Sequence, residues 1–457
     1  MSSLADRIRG IVAPTGVARG SSPADAAGLE PCPTADLEQV LGGAWCGGCF
    51  VVTRRWEPSA MHGRERIGDV AERLDGASAE APMFTGGAPA RPPFVFFDLE
   101  TTGLSGGAGT LAFLVGCGWF ESDGAFVTRQ FLLARHADER RLLEAVAATL
   151  APAGALVSFN GKSFDAPLLE GRYLFHRIAW HGRELPHVDV LHPARRFWKP
   201  RDGRSGGLRY DRGPLGAQAV RPAGEGCSLQ ALEKQLVGHR RRGDVPGFEI
   251  PARYFQFVRS GDAGPLEAVL EHNRLDLLTL AALTARLLHL ASGGPESVTD
   301  PREALALGHV YDRAHRLAHS ASTDDGLAAR ARESYRRAID RCRSPRGAYD
   351  PIRIDALRAL ALACRRDRRH DEAARCWMEL TETRGCPPPI VREAAEALAI
   401  HHEHRVRDLA LARRFALGSL AALAAGPRPS LSEATRHRLA RIERKMGAPA
   451  HGGPLLD

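Results

Sequence analysis

No stretch of this 457-residue sequence reaches about 18 consecutive apolar residues, the least that a membrane-crossing helix needs. Its opening segment also lacks a long apolar run behind the first charges, so neither a secretory leader nor a membrane partner is expected. Cysteine occurs at 32, 46, 49, 117, 227, 342, 364, 376 and 386 without framework spacing, and an odd number cannot all pair internally. This argues against a disulfide scaffold and for a reducing, cytoplasmic setting. Acid is the scarcer charge: 54 Asp and Glu face 62 Lys and Arg, a net charge of +8 that suits a polyanionic partner through counterion release.

Residues 1–90 are rich in Gly, Pro, Ala and Ser, with short candidate elements near Asp36–Leu41 and Cys49–Trp56, and a partly disordered region is expected there. From 91 to 293 the texture is that of an α/β domain. Runs at Phe94–Leu99, Leu111–Trp119 and Phe126–Leu133 form a strand meander. A helix at His136–Leu150, a strand at Ala155–Phe159, a helix at Phe164–Ile178 and a strand at His187–Leu191 come next, followed by helices at Ser228–Val237, Ala252–Arg259 and Leu266–Leu290. The expected fold is a mixed five-stranded sheet with flanking helices, because alternating strands and helices need crossovers that cover the sheet. Strands are missing from 300 to 446. Pairs such as Ile354–Cys364 with Glu372–Leu380, and Val391–His401 with Leu409–Leu423, predict an all-α domain. The shared spacing of Ala331/Tyr335/Ala338 and Ala373/Trp377/Leu380 resembles the second helix of tetratricopeptide repeats.

Asp98 and Glu100 end an apolar strand, where side chains two apart project to one face. Two carboxylates converging beside apolar residues cost desolvation unless cations compensate, and hard divalent ions with oxygen ligands are the usual answer. On the long helix, His272 and Asp276 stand one turn apart on the same face.

The string Asp98-Leu99-Glu100-Thr101-Thr102-Gly103-Leu104 resembles the first motif of the DEDD exonucleases of the RNase-H-like superfamily, and Asn160-Gly161-Lys162-Ser163-Phe164-Asp165-Ala166-Pro167 resembles the second. His272-Asn273-Arg274-Leu275-Asp276 resembles the third, with the histidine four residues before the acid, where the tyrosine subtype carries its tyrosine. Together with Ser105-Gly106-Gly107 running into Phe113-Leu114-Val115-Gly116, and with Ser228-Leu229 and Leu232-Glu233, these motifs resemble the bacterial YprB-like branch of that superfamily over about residues 94–290. The resemblance implies a 3′ to 5′ exonuclease on single-stranded DNA or RNA. It also implies two Mg²⁺ or Mn²⁺ ions held by Asp98, Glu100, Asp165 and Asp276, with Asp98 bridging. Glu100 and Asp276 would complete the first ion's shell, and Asp165 would hold the second through water. Thr101, Thr102, Gly103, Leu104, Asn160 and Lys162 become candidate substrate contacts. His272 either orients the attacking water or only touches substrate. The other reading is a nucleic-acid-binding scaffold around a vestigial nuclease core.

Three further features stand outside the motifs. His187-Val188-Asp189 places a supporting acid, or a strand-end cap, beside the site. Cationic residues accumulate between Arg195 and Arg242, interleaved with Phe197, Trp198 and Tyr210, a pattern suited to single strands or to a solvated loop, with Gly203–Gly226 expected to be mobile. Cys46 and Cys49 form a CxxC that Cys32 and His62 are the nearby residues to complete as a zinc site. The helical domain is a candidate surface for a protein partner.

Overall fold

The computed structural model describes residues 34–103, 109–199, 227–318, 325–423 and 429–447. Leu104 and Ser105–Gly107, Cys32, and the greater part of the basic insertion, including Arg201, Arg204, Arg209, Tyr210, Arg212 and Arg221, lie outside them.

Helix α1 (Thr34–Leu41) leads into the strands β1 (Ala44–Cys46) and β2 (Cys49–Trp56), then the small hairpin β3 (Met61–His62) and β4 (Glu65–Arg66), and α2 (Ile67–Gly76). The meander is β5 (Phe94–Thr101), β6 (Ala112–Phe120) and β7 (Phe126–Leu132). It is followed by α3 (Glu139–Leu150), β8 (Ala155–Ser158), α4 (Asp165–Phe175), β9 (His187–Asp189) and α5 (Leu191–Phe197). After the insertion come α6 (Leu229–Leu232), running straight into a π-helical turn at Glu233–Val237, then α7 (Ile250–Ser260) and the 30-residue α8 (Gly264–Gly293).

The main sheet has the order β1-β2-β7-β6-β5-β8-β9. Neighbours from β1 to β5 pair antiparallel, while β5–β8 and β8–β9 are parallel. Five of these strands are the expected ones, but the count of five is corrected to seven. The segment 44–56, which shows no sustained hydrophobic period, adds β1 and β2 at one edge. Pairing supplies what its periodicity does not: Phe50 to Trp56 run in register with Leu132 to Phe126, and Phe50, Val51 and Val52 are buried.

Alternation along β5 divides the core. Phe94 and Phe96 point into one apolar cluster, while Val95, Phe97 and Leu99 point into another on the opposite face. Helix α8 touches both clusters, with Leu266, Val269 and Leu270 on the second side and Leu277 to Leu288 on the first. Its polar stretch His272–Asp276 therefore lies where the helix passes the end of β5. Helix α8 is long and apolar enough to span a membrane, but 72% of its most apolar window is buried inside the protein, as befits a core helix.

The remaining helices are α9 (Pro301–Ala318), α10 (Asp325–Arg341), α11 (Pro351–Arg366), α12 (His370–Glu382), α13 (Pro388–His401), α14 (Leu409–Leu423) and α15 (Pro429–Gly447). The expected helix pairs are present as α11 with α12 and α13 with α14. The two repeated triplets are buried alike, Ala331, Tyr335 and Ala338 on α10 and Ala373, Trp377 and Leu380 on α12. The region docks on the α/β part through α9, which packs on α5. There Trp198 Nε1 donates to Glu303 at 2.9 Å, and the Tyr311 hydroxyl donates to the Ala291 carbonyl at 2.6 Å.

Candidate metal centre

Strand β5 presents Asp98 and Glu100 on one face because Leu99, between them, is needed in the core on the other. A register shift between Glu100 and Thr101 ends regular pairing with β6, so the strand turns away just past the second acid. Thr101 and Thr102 then close the loop locally: Thr101 Oγ1 donates to the Gly103 carbonyl at 3.0 Å, and Thr102 Oγ1 accepts from the Leu111 amide at 3.0 Å.

Asp165 begins α4, whose first residue is one later than the periodicity suggests, with Phe164 outside the helix and largely exposed. The turn leading to it is built on Asp189. This acid is buried and accepts the amide hydrogens of Asn160 at 2.8 Å, Lys162 at 3.2 Å and Leu191 at 3.1 Å. It caps the strand end and also stands close enough to Asp165 to raise that carboxyl. Asn160 takes a left-handed conformation at φ 72°, and Gly161 is required because a Cβ there would lie 2.5 Å from Ser158 Oγ. Lys162 is exposed at the same turn.

On α8, Asp276 faces this group with His272 one turn before it. The His272 ring is buried, with Nδ1 2.7 Å from Asp244 Oδ1 and Nε2 3.5 Å from Asp276 Oδ2. Asn273 lies on Asp98, donating to its carboxylate at 2.9 Å while accepting from Gln130 at 2.8 Å. Arg241 is buried among Glu233, Asp276 and Asp244, at 2.8, 2.5 and 3.5 Å.

The four sequence-predicted acids therefore converge from β5, α4 and α8, and their electrostatics confirm the crowding. Burial first, then Asp276, Glu100 and Asp165, push the Asp98 carboxyl well above the usual carboxylate range. Burial, Asp276 and Asp165 do the same to Glu100, against the pull of Arg241. Asp165 is pushed up to about 7 by burial and by Asp189. Such acids cannot all ionise together without positive charge among them. An all-oxygen donor set with that deficit fits hard divalent cations. No three of the four acids come within 4.8 Å of one another, and among the described residues that mutual spacing is met by His62, Glu233 and His239 alone.

Asp244, the pairing of Arg241 with the acids and the role of Asn273 are not legible in the sequence, which offers Arg241 only as one of a basic run. Arg241 and Asp244 sit in the run His239-Arg240-Arg241-Arg242-Gly243-Asp244, which reads as part of a basic loop; its single acid is the signal that could have been weighed. Among the described residues no ligand group joins the CxxC to His62, and Cys32 lies outside them. Cys46 and Cys49 oppose each other on the β1–β2 hairpin, and burial, followed by Asp138 and Cys46, pushes the Cys49 thiol up to about 12. His62 instead contacts Thr279 and Glu233, at 2.9 and 3.4 Å.

Residues 95–288 match the model of the RNase_H_2 family, part of the RNase_H superfamily. That segment is an RNase H superfamily domain. The chain is also similar to Uncharacterized protein YprB of Bacillus subtilis (strain 168), with 29% identity over 356 residues, covering 77% of this chain and 75% of the relative. The match extends well beyond the superfamily domain. Membership of the superfamily indicates nuclease-type chemistry on a nucleic-acid substrate, with divalent metal as the usual cofactor.

Proposed function

We propose that the protein is a metal-dependent nuclease, a 3′ to 5′ exonuclease on single-stranded DNA or RNA. The observation that carries this reading is the convergence of Asp98, Glu100, Asp165 and Asp276 from three separate elements, where burial and neighbouring acids raise the carboxyls of Asp98, Glu100 and Asp165. Asp98, Glu100, Asp165 and Asp276 would hold two Mg²⁺ or Mn²⁺ ions, which when bound supply an activated water and stabilise the leaving oxygen of a phosphoryl displacement.

The protein's own groups have distinct tasks. His272 is oriented through Nδ1 by Asp244, which turns Nε2 toward Asp276, where a proton leaving the attacking water would be received. Asn273 fixes the rotamer of Asp98. Asp189 shapes the turn that presents Asp165, and Asn160 and Lys162 on that turn, with Thr101, Thr102, Gly103 and Leu104 after β5, are the candidate contacts to the strand.

One observation favours the scaffold reading instead: the Arg241 guanidinium already sits on Asp276, neutralising one of the four acids. Incubation with Mn²⁺ and matched 3′- and 5′-labelled DNA and RNA strands separates the two. Stepwise shortening from the 3′ end, lost in Asp98→Ala and in Asp165→Ala, is the expected result. Cleavage by both variants at the level of the parent would remove the site assignment, and calorimetry finding no acid-dependent Mn²⁺ binding would favour the scaffold.

A further inference from the structure

We propose that His62, Glu233 and His239 form a second metal site, selective for Zn²⁺ and chemically distinct from the acid centre. It does not depend on the nuclease reading. One donor atom from each residue lies within 4.8 Å of the other two, and His62 and Glu233 are almost wholly buried. His62 Nε2 and Glu233 Oε1 are 3.4 Å apart. Bonds of about 2.0–2.1 Å in a tetrahedral zinc site space neighbouring ligands by roughly 3.3–3.4 Å, so this pair already stands at ligand spacing.

The chain brings these residues together by a close approach of two turns. Gly63 and Gly238 both have positive φ, and a Cβ on Gly63 would lie 2.4 Å from the Val237 carbonyl oxygen, while one on Gly238 would lie 2.4 Å from Arg64 Nε. The Arg64 amide donates to that same carbonyl at 2.8 Å. The turns therefore interlock through their glycines and leave His62 and His239 side by side, with ring centroids 4.6 Å apart. Two imidazoles and one carboxylate are a borderline-soft donor set that suits zinc, whereas Mg²⁺ requires oxygen.

The surroundings supply supporting contacts and a charge deficit. Thr279 Oγ1 donates to Glu233 Oε1 at 2.8 Å and lies 2.9 Å from His62 Nε2, so either a proton on that nitrogen or an ion beside it completes the arrangement. The other oxygen of Glu233 accepts from Arg241, whose one charge is also shared with Asp276 and Asp244. Glu233 is the fully buried one of three carboxylates that share this guanidinium, Asp244 and Asp276 also having His272 beside them, and a divalent ion on Glu233 offsets its charge. The site would tie the β3–β4 hairpin to the segment that carries Arg241 to the acid centre.

The test uses the full chain with Cys46→Ser, which removes the exposed thiol of the CxxC as a competing ligand. Zn²⁺ affinity and stoichiometry are measured by competition with a chromophoric chelator, and Co²⁺ is loaded to read the visible bands of a tetrahedral site. One tight ion is expected. His239→Ala, on the less buried turn, should weaken it by more than the roughly 10–100-fold that loss of a supporting contact costs, and should abolish the Co²⁺ bands. A double variant Asp98→Asn, Asp276→Asn should retain both. Circular dichroism establishes that each variant is folded. Unchanged affinity in His239→Ala, or loss of the tight ion in the acid variant, would overturn the proposal.

Discussion

The side-chain amide of Asn273 joins Asp98, its neighbour in space but 175 positions away in sequence, by a 2.9 Å bond to the carboxylate, while Gln130 supplies the partner for the other half of the amide. Asn273 is fully buried, and it occupies the space that a side chain at position 116 would take: a Cβ on Gly116 would come 2.1 Å from Asn273 Oδ1. One glycine on β6 thus makes room for the group that sets one acid on β5.

Asn273→Leu should strip Asp98 of its orienting donor and leave one of the two Gln130 amide hydrogens without an acceptor, the other keeping the Leu270 carbonyl. A stability loss of about 1–3 kcal/mol follows from the unsatisfied buried amide, measurable by urea unfolding. Gly116→Ala should reproduce the same defect by displacing Asn273. A Gly116→Ala protein as stable as the parent would contradict the packing described.

Asp165 provides a dependence on pH. Its folded-state pKa of about 7 lies above the ordinary carboxylate value, so the folded protein binds the proton more tightly than the unfolded chain does. Its contribution to stability is then present at low pH and is lost as pH rises from about 4 through 7. In EDTA, Asp165→Asn should raise the unfolding free energy above pH 7 by an amount on the order of 2–4 kcal/mol, with no gain near pH 4. Saturating Mn²⁺ should erase the advantage. Calorimetric melting across pH 4 to 8 reads all three outcomes.

Arg241→Met would leave Glu233 buried without its cation, at a cost of about 3–5 kcal/mol in chemical unfolding. Arg241→Lys should recover only part of this. A single ammonium cannot meet Glu233 and Asp276 with separate nitrogens as the guanidinium does. Full recovery by lysine would show that charge alone matters there.

Asp244→Asn should lower kcat for strand cleavage by roughly 100-fold or more with little change in KM, since the group acts through His272 and not on the strand. The pH profile should shift together with kcat. An unaltered profile would remove His272 as the proton acceptor.

What could be read in the sequence followed the periodicities that burial imposes. The apolar runs of β5 to β9 and of α8 are legible because each must fill a core on one face or two, and the acids are legible because three motifs frame them. Strand β2 was less so. Its outer half, Thr53 to Trp56, alternates around arginines, and its place in the sheet is set by pairing with β7 across more than seventy residues. Asp244 and Arg241 were hidden for another reason: ion pairs formed at sequence separations of 28 and 35 leave no local pattern, so an acid and a base in a polar loop look like solvated charges.

The seam between α5 and α9 has a consequence for the order in which the chain is made. Synthesis proceeds from the N-terminus, so all four acids and both turns around Gly63 and Gly238 are complete before Glu303 and Tyr311 emerge. Until then the Trp198 indole lacks its acceptor and the Ala291 carbonyl its donor. The apolar cluster that runs from Ile67 to Ile442 also stands open to water on one side. A chain that ends before the late helices therefore exposes apolar surface that those helices cover in the full protein.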